Sequence, residues 1–310
     1  MENTRAKTTR NSLILLLTAT IWGMAFVSQS KGMDYMHPFT FNGVRSLIGA
    51  AGILIYILIS RKIAGDKAAK LDWKLNVKAG LLCGIFLTIA STLQQFGIKY
   101  TSVGKAGFIT TLYIIFVPMF GIFLKKKVAP VVWAAAGMAA VGMYLLCMTE
   151  SLRLGAGDIM VFLCAIAFAI QIMTVDHYAA SIDGAVVSCI QFTVCGVVCC
   201  IGALIWGQPT FGQIQEGLGA LLYAGVLSCG VGYTLQIVGQ KGLNPTVAAL
   251  IMSLESVIAT ISGWIAYKIG FLSTDQTLTP RQIAGCVIVF AAVILVQLPP
   301  EWFCFGKKNA

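Results

Sequence analysis

Two charged side chains lie deep inside apolar stretches of this sequence, and they are the first candidates for chemistry. Glu255 lies about ten residues into the stretch 245–269, and Arg45 about six residues into the stretch 39–59. A buried charge needs a partner or a wet cavity, so an Arg45–Glu255 ion pair is one interpretation. Glu255 could instead exchange a proton or bind a substrate ammonium group. Both residues could also serve only as structural links between helices.

Aromatic and amide side chains in the same kind of stretch extend the set of candidates. They are Trp22, Tyr113, Phe168, Gln94, Gln95, Gln236 and Gln191. Aromatic walls with a few polar groups are typical of small-molecule sites, and Trp22 or Tyr113 could hold a cation against its ring. The glutamines could line a cavity or act in a gate. Each of these residues could equally be helix packing.

Several kinds of chemistry are missing from the sequence. It contains no GxxxxGK[ST], HExxH or GxSxG motif, which argues against ATP hydrolysis, zinc proteolysis and serine hydrolysis. The ten cysteines form no CxxC pair and there are only two histidines, so we expect no metal site. We interpret the cysteines as small packing residues. The sequence predicts neither an enzyme nor a cofactor.

Long apolar runs must position these side chains. Hydrophobic residues make up 58% of the 310 positions and charged residues 11%, against about 25% charged in soluble domains. A membrane span needs about 20 apolar residues, and only helices satisfy their backbone in lipid without closing a barrel. Ten predicted spans, numbered in chain order, are 12–30, 39–59, 77–99, 104–124, 128–147, 157–179, 185–206, 217–240, 245–269 and 280–298. The sequence thus predicts an all-α integral membrane protein. Prolines should begin spans 2, 5, 9 and 10, and Pro118 should kink span 4.

The basic residues concentrate between spans on one side of the membrane. With the N-terminus inside, fifteen Lys and Arg residues fall on inner segments and six on outer ones. Such an excess marks the cytoplasmic side. We therefore expect a multi-pass protein of the cell membrane with both termini cytoplasmic. The formal net charge of +10 has this origin, and we expect no nucleic-acid partner.

Two halves of the chain repeat each other at an offset of about 142 residues. Thr92, Leu93, Gln94, Gly97 and Lys99 recur as Thr234, Leu235, Gln236, Gly239 and Lys241. The same relation pairs Tyr113 with Glu255 and, at an offset of 146, Trp22 with Phe168 and Arg45 with Gln191. We take 1–150 and 151–310 as five-span repeats. Because five is odd, the second repeat should be inverted, an arrangement typical of secondary transporters.

The sequence also resembles a known family. The matching segments are Thr20–Val27, Arg45 seven residues after Pro38, Gly107–Tyr113 with Phe116–Pro118, and Ser253–Ala259. Together they resemble the EamA family of the drug/metabolite transporter superfamily. The resemblance implies ten helices as two inverted repeats, with spans 1–4 and 6–9 around a central cavity and spans 5 and 10 outside it. It also implies outward movement of small metabolites, often amino acids or related compounds. Where family members often have a Glu after span 4, this chain has Lys125–Lys127.

The sequence therefore predicts a secondary transporter that exports a small metabolite by alternating access. An importer or proton-coupled antiporter on the same fold is a first alternative, and a lipid-head-group flippase is a second. Expected partners are a small-molecule substrate and the lipid bilayer, and a homodimer is left open.

Overall fold

The structure is a computed structural model and describes residues 2–65, 71–124, 130–147, 155–273 and 277–297. Across these residues the chain is helical and contains no strand, which confirms the predicted all-α architecture. The α-helices are α1 (Glu2–Gly32), α2 (Pro38–Ala64), α3 (Trp73–Tyr100), α4 (Val103–Thr111), α5 (Tyr113–Phe123), α6 (Pro130–Cys147), α7 (Ala156–Tyr178), α8 (Gly184–Gly202), α9 (Phe211–Glu216), α10 (Leu218–Leu222), α11 (Tyr233–Gln240), α12 (Pro245–Met252), α13 (Leu254–Lys268) and α14 (Pro280–Gln297).

Eight helical stretches within the described ranges are long and apolar enough to cross a membrane. They correspond to predicted spans 1–4 and 6–9, although their ends differ from the prediction by several residues. The fifth and tenth spans are represented by shorter apolar stretches, Pro130–Gly142 in α6 and Pro280–Leu295 in α14. The helices thus suggest a multi-pass membrane protein, and crossing by α6 and α14 remains a prediction.

Local sequence signals determine where several helices begin. The predicted prolines occupy the first positions of α2, α6, α12 and α14, where the missing N–H costs no hydrogen bond. His37 caps α2, because its Nδ1 accepts a hydrogen bond from the backbone N–H of Phe39 at 3.4 Å. Burial, together with the nearby charge of Lys99, lowers the pKa of the His37 imidazole. The neutral ring keeps an acceptor nitrogen for the cap.

The fourth and ninth spans are interrupted within one residue of equivalent positions of the repeat. Leu112 separates α4 from α5, and Ser253 separates α12 from α13. Just there, Thr111 Oγ1 donates to the carbonyl of Phe108 at 2.9 Å, and Ser253 Oγ donates to the carbonyl of Leu250 at 2.7 Å. These two hydrogen bonds are related by the offset of 142. A hydroxyl that bonds back to its own helix often bends it, and the repeat places the same hydrogen bond at both breaks.

The break in the fourth span is therefore not at Pro118, where the sequence predicted a kink. Pro118 lies inside α5, six residues beyond Leu112. A proline in a helix disturbs the carbonyl four residues before it. For Pro118 this is the carbonyl of Ile114, which lies after the break at Leu112. The ninth span breaks at the equivalent point although its only proline is Pro245, at its first position. The hydroxyl groups are the feature that both breaks share.

The eighth span contains a π-helical stretch, Tyr223–Gly232, between α10 and α11, and a shorter one, Ala203–Gly207, follows α8. Such stretches are rare and are frequent at functional sites. Gly225 lies within the longer one, and a Cβ added there would be 2.9 Å from the carbonyl of Arg45. The equivalent third span is the continuous helix α3. The two halves therefore differ in shape at this point.

Helices of the first half pack mainly against helices of the second. The most extensive contacts are those of α3 with α7, α2 with α8, α3 with α8 and α1 with α13, whereas α6 and α14 pack chiefly on each other. Gly97 and its repeat equivalent Gly239 allow two equivalent crossings. A Cβ on Gly97 would lie 2.8 Å from the Gly157 carbonyl, and a Cβ on Gly239 would lie 2.7 Å from Leu15 Cδ2. Small residues of this kind let membrane helices approach closely.

Five cysteines are buried and unpaired between these helices: Cys83, Cys164, Cys195, Cys199 and Cys229. Cys195 Sγ lies 3.4 Å from Ser46 Oγ and 3.4 Å from Ser91 Oγ, where α2, α3 and α8 meet. Lys125–Lys127, which depart from the family pattern, lie outside the described residues.

Candidate functional site

Seven of the nine side chains singled out from the sequence line one small internal cavity. They are Trp22, Arg45, Gln94, Tyr113, Phe168, Gln236 and Glu255. The cavity has a volume of about 30 Å³, enough for one or two water molecules. Small-molecule sites measure about 300–1,000 Å³. A metabolite can therefore bind here only after the surrounding helices move apart.

Tyr113 and Glu255 touch each other in the wall of this cavity. The Tyr113 hydroxyl donates a hydrogen bond to Glu255 Oε1 at 3.0 Å, and both side chains are buried. The two residues are equivalent in the repeat, and equivalent residues can meet only near the axis that relates the two copies. Each also lies next to a helix break: Tyr113 follows Leu112 directly, and Glu255 is two residues after Ser253. Broken helices of this kind form binding sites in membrane transporters.

The proposed ion pair between Arg45 and Glu255 does not form, although both residues are described and line the cavity. Glu255 accepts a hydrogen bond from Tyr113 instead of pairing with Arg45. A buried carboxylate without a cationic neighbour needs a proton, a cationic ligand or water. Glu255 is thus available for chemistry in the cavity.

Arg45 is held by its own helix instead. Its Nε donates to Asn42 Oδ1 at 2.8 Å, one turn earlier in α2, and its guanidinium lies 5.5 Å from the centre of the Phe41 ring. Asn42 in turn donates to Ser91 Oγ in α3 at 3.4 Å. The two terminal guanidinium nitrogens form no hydrogen bond with the described residues. A guanidinium offers a forked pair of donors that matches a carboxylate, so Arg45 could bind an anionic group at the cavity.

Aromatic rings form another part of the wall. The rings of Trp22 and Tyr233 are 4.5 Å apart between centres and tilted by 51°. Tyr233 also meets Phe192 edge to face at 5.0 Å. Phe168, the repeat equivalent of Trp22, lines the same cavity. The rings give the site an apolar body next to its few polar groups.

Amide side chains supply most of the neutral polar atoms. Gln94 Nε2 donates to Thr110 Oγ1 at 3.2 Å, and Gln236 Nε2 donates to Gln171 Oε1 at 3.2 Å. Four buried polar atoms of lining residues have no hydrogen-bond partner among the described residues: Trp22 Nε1, Gln29 Oε1, Gln171 Nε2 and Gln236 Oε1. An unsatisfied buried group costs about 1–3 kcal/mol. Two donors and two acceptors are thus left for water or a ligand.

The two remaining candidates lie elsewhere. Gln95 Nε2 donates to the backbone carbonyl of Gln29 at 3.2 Å, which links α3 to α1. Gln191 is buried in α8, where its backbone packs closely against Gly84 of α3. A Cβ added to Gly84 would lie 3.2 Å from the Gln191 Cα. Neither residue lines the cavity.

The cavity also contains polar residues that the sequence analysis did not single out: Gln29, Thr110, Gln171, Ser228 and Tyr233. Gln29 and Gln171 carried a usable signal, because an amide inside an apolar span is costly and is often functional. Their repeat counterparts are apolar, Val175 and Ala25, so neither glutamine belongs to a pair of matched polar residues.

Known proteins resemble the chain along nearly all of its length. The model of the EamA-like transporter family matches twice, at residues 10–148 and 155–298. An uncharacterized transporter of Archaeoglobus fulgidus is 28% identical over 290 residues, covering 92% of this chain and 84% of that protein. The uncharacterized transporter YwfM of Bacillus subtilis is 24% identical and covers 94% of each chain. A solved structure, described only as a crystal structure of protein, shares the fold with a TM-score of 0.73 at 16% identity, over 96% of this chain and 99% of that one.

Proposed function

The chain belongs to the EamA-like transporter family, and from this premise we propose that it is a secondary transporter exporting a small amphoteric metabolite. An amino acid or a related compound is the substrate class that fits best. Transport would proceed by alternating access, in which the two halves rock around a fixed site. The single observation that carries the proposal is the cavity at the Tyr113–Glu255 contact, where a buried acid, a buried base and unpartnered amides line one space.

The proposed topology has ten crossings in two inverted repeats, 1–150 and 151–310, in the cell membrane with both termini cytoplasmic. Support comes from the two family matches, from the eight apolar helices and two shorter ones, and from the equivalent breaks at Leu112 and Ser253. The excess of Lys and Arg on one set of connections supports the orientation.

The substrate class follows from the charges around the cavity. Among the described residues Glu255 has no cationic partner, and the terminal nitrogens of Arg45 form no hydrogen bond. A ligand with one ammonium and one carboxylate group satisfies both. The unpartnered donors and acceptors of Trp22, Gln29, Gln171 and Gln236 suit further polar atoms. The rings of Trp22 and Tyr233 suit the apolar part of such a ligand.

Proton coupling is the second candidate for the same fold. The observation that favours it is the position of Glu255, buried and bonded to a neutral hydroxyl. Such a carboxyl can be neutralised by a proton in one state and by a substrate ammonium in the other. Competition of this kind would make the protein an antiporter of substrate and proton.

Counterflow in proteoliposomes tests the proposal. The wild-type protein is loaded with each member of a panel of amino acids, polyamines and nucleosides, and uptake of the labelled compound is followed from pH 5.5 to 8.5. We expect exchange of one amphoteric class, and we expect Glu255→Gln to abolish that exchange or its pH dependence. Glu216→Gln, the same chemical change at an exposed position in α9, is the matched control and should exchange like wild type.

Each outcome has a clear meaning. Exchange that is lost only in the Glu255 variant identifies a binding or proton site. Exchange of nucleosides or polyamines alone would contradict the substrate class. A Glu255→Gln variant that matches wild type at every pH would show that Glu255 is structural.

A further inference from the structure

A groove separate from the central cavity opens on the outside of the helix bundle. This first lateral groove has a volume of about 620 Å³ and lies between α1, α10 with the start of the π-helical stretch, and α13. Its walls include Met24, Ile261 and Ile265, whose side chains are 45%, 41% and 47% exposed. The surface of the groove is therefore apolar and continuous with the part of the protein that faces lipid.

A second lateral groove occupies the equivalent place in the other repeat. It has a volume of about 480 Å³ and lies between α3, α5 and α7. Ile170 and Thr174 line the second groove. At an offset of 146 they are the repeat equivalents of Met24 and Ser28, which line the first groove. Phe123 also lines the second groove, and its repeat equivalent at an offset of 142, Ile265, lines the first. On the proposed inverted topology, the two grooves face opposite leaflets.

A single helix separates the first groove from the central cavity. Met24, Val27 and Ser28 of α1 line the groove, whereas Ala25, Phe26 and Gln29 of the same helix line the cavity. An occupant of the groove therefore contacts one face of α1, and the opposite face of the same helix forms part of the cavity wall.

Each groove has a basic side chain at the end that lies near the membrane surface. Lys31 Nζ is 5.8 Å from the ring centre of Phe271, which lines the first groove, and it also pairs with the exposed Asp34 at 3.0 Å. His177 lines the second groove and is the residue 146 positions after Lys31. An ammonium has three donors and an imidazole at least one. In each groove, the phosphate of a lipid whose acyl chain occupies the groove would lie beside the basic group of that groove.

We infer that each lateral groove binds one acyl chain of a membrane phospholipid, with the lipid phosphate beside Lys31 in one leaflet and beside His177 in the other. The occupant is a lipid because the grooves are apolar, open to the bilayer and bounded by a basic group at the headgroup level.

Two glycines provide a matched pair of variants for the first groove. Gly219 lines the groove, and a Cβ added there meets no atom within 4 Å. Gly52 in α2 is exposed and also has open space around an added Cβ, but it does not line the groove. Gly219→Trp places an indole in the groove from a position where its Cβ meets no atom, and Gly52→Trp adds the same side chain elsewhere.

Photolabelling tests the inference. The full-length protein is placed in nanodiscs of phosphatidylglycerol with a diazirine in the acyl chain, irradiated, and mapped by peptide mass spectrometry. We expect labels concentrated at Met24, Ile261 and Ile265. Gly219→Trp puts an indole where the bound chain would lie and should remove most of this labelling, because the ring takes the space of the chain. Gly52→Trp should leave it unchanged.

Labels spread evenly over the exposed apolar residues of the helices would overturn the inference. So would a Gly219→Trp variant that labels like wild type, or crosslinks from these residues to a second copy of the chain. If the Gly219 variant does not fold, the wild-type label map alone decides the matter. The result is independent of the transport assay, since a groove that binds lipid implies nothing about substrate.

Discussion

The hydrogen bond between Tyr113 and Glu255 can be measured directly by a double-mutant cycle. Tyr113→Phe removes the hydroxyl, and Glu255→Met replaces the acceptor with an unbranched apolar side chain. Free energies of unfolding are measured for wild type, both single variants and the double variant by SDS titration in mixed micelles. The two side chains are buried and 3.0 Å apart, so the cycle isolates one contact.

The expected coupling is about 1–1.5 kcal/mol. Hydrogen bonds between membrane helices average about 0.6 kcal/mol and reach about 1.7 kcal/mol, and a bond to a carboxylate lies at the upper end of that range. Tyr113→Phe alone leaves a buried carboxyl without its partner, which should cost about 1–3 kcal/mol. In the Glu255→Met background the same change should cost much less, because no acceptor remains.

The control cycle pairs Tyr113→Phe with Glu216→Gln. Glu216 is exposed in α9 and has no contact with Tyr113, so these two changes should add within about 0.3–0.5 kcal/mol. A Tyr113–Glu255 coupling no larger than that of the control would refute the contact at the repeat axis. It would also remove the main geometric support for placing the site there.

Two further changes test the packing of the helices, with unfolding midpoints as the measurement. Gly97→Val places a Cβ 2.8 Å from the Gly157 carbonyl and should destabilise the protein by about 1–3 kcal/mol, whereas Gly137→Val meets open space and should change the midpoint little. Asp158→Asn removes the charge that Lys105, Thr101 and the Gly155 N–H bond and should cost about 1–3 kcal/mol. Asp34→Asn alters an exposed pair and should be nearly neutral, so equal effects of the two Asp variants would contradict the difference in burial.

The spans were predictable because lipid leaves the backbone few choices. Apolar length and proline position determined eight of the predicted spans and several helix starts. Helix breaks were harder to predict. Thr111 and Ser253 bond back to their own helices at the two breaks, but Thr18 and Thr88 make the same kind of bond inside continuous helices. Pro118, the stronger signal in the sequence, lies six residues beyond the break.

The cavity residues were predictable where charge or the repeat marked them. Glu255 stood out as a charge in an apolar run, and Tyr113 as its equivalent. The choice of partner was not predictable, because Arg45 could reach either across the cavity or back along α2. The nearer Asn42, three residues earlier on the same helix face, holds it. Gln171 was missed because its repeat counterpart is the apolar Ala25 and its partner Gln236 lies 65 residues further along the chain.

The repeat gives the two halves similar shapes, but the chemistry around the axis is unequal. Glu255 faces a tyrosine at the equivalent position, and the equivalent of Arg45 is the neutral Gln191, which lies away from the cavity. A group on the axis keeps its place when the two halves exchange conformations, whereas a group off the axis moves with its own half. On the proposed mechanism, Glu255 therefore holds one end of the substrate in both states. Arg45 belongs to only one half, so its contact with the other end of the substrate changes between the two states. A substrate can shift the equilibrium between two states only if its contacts differ between them.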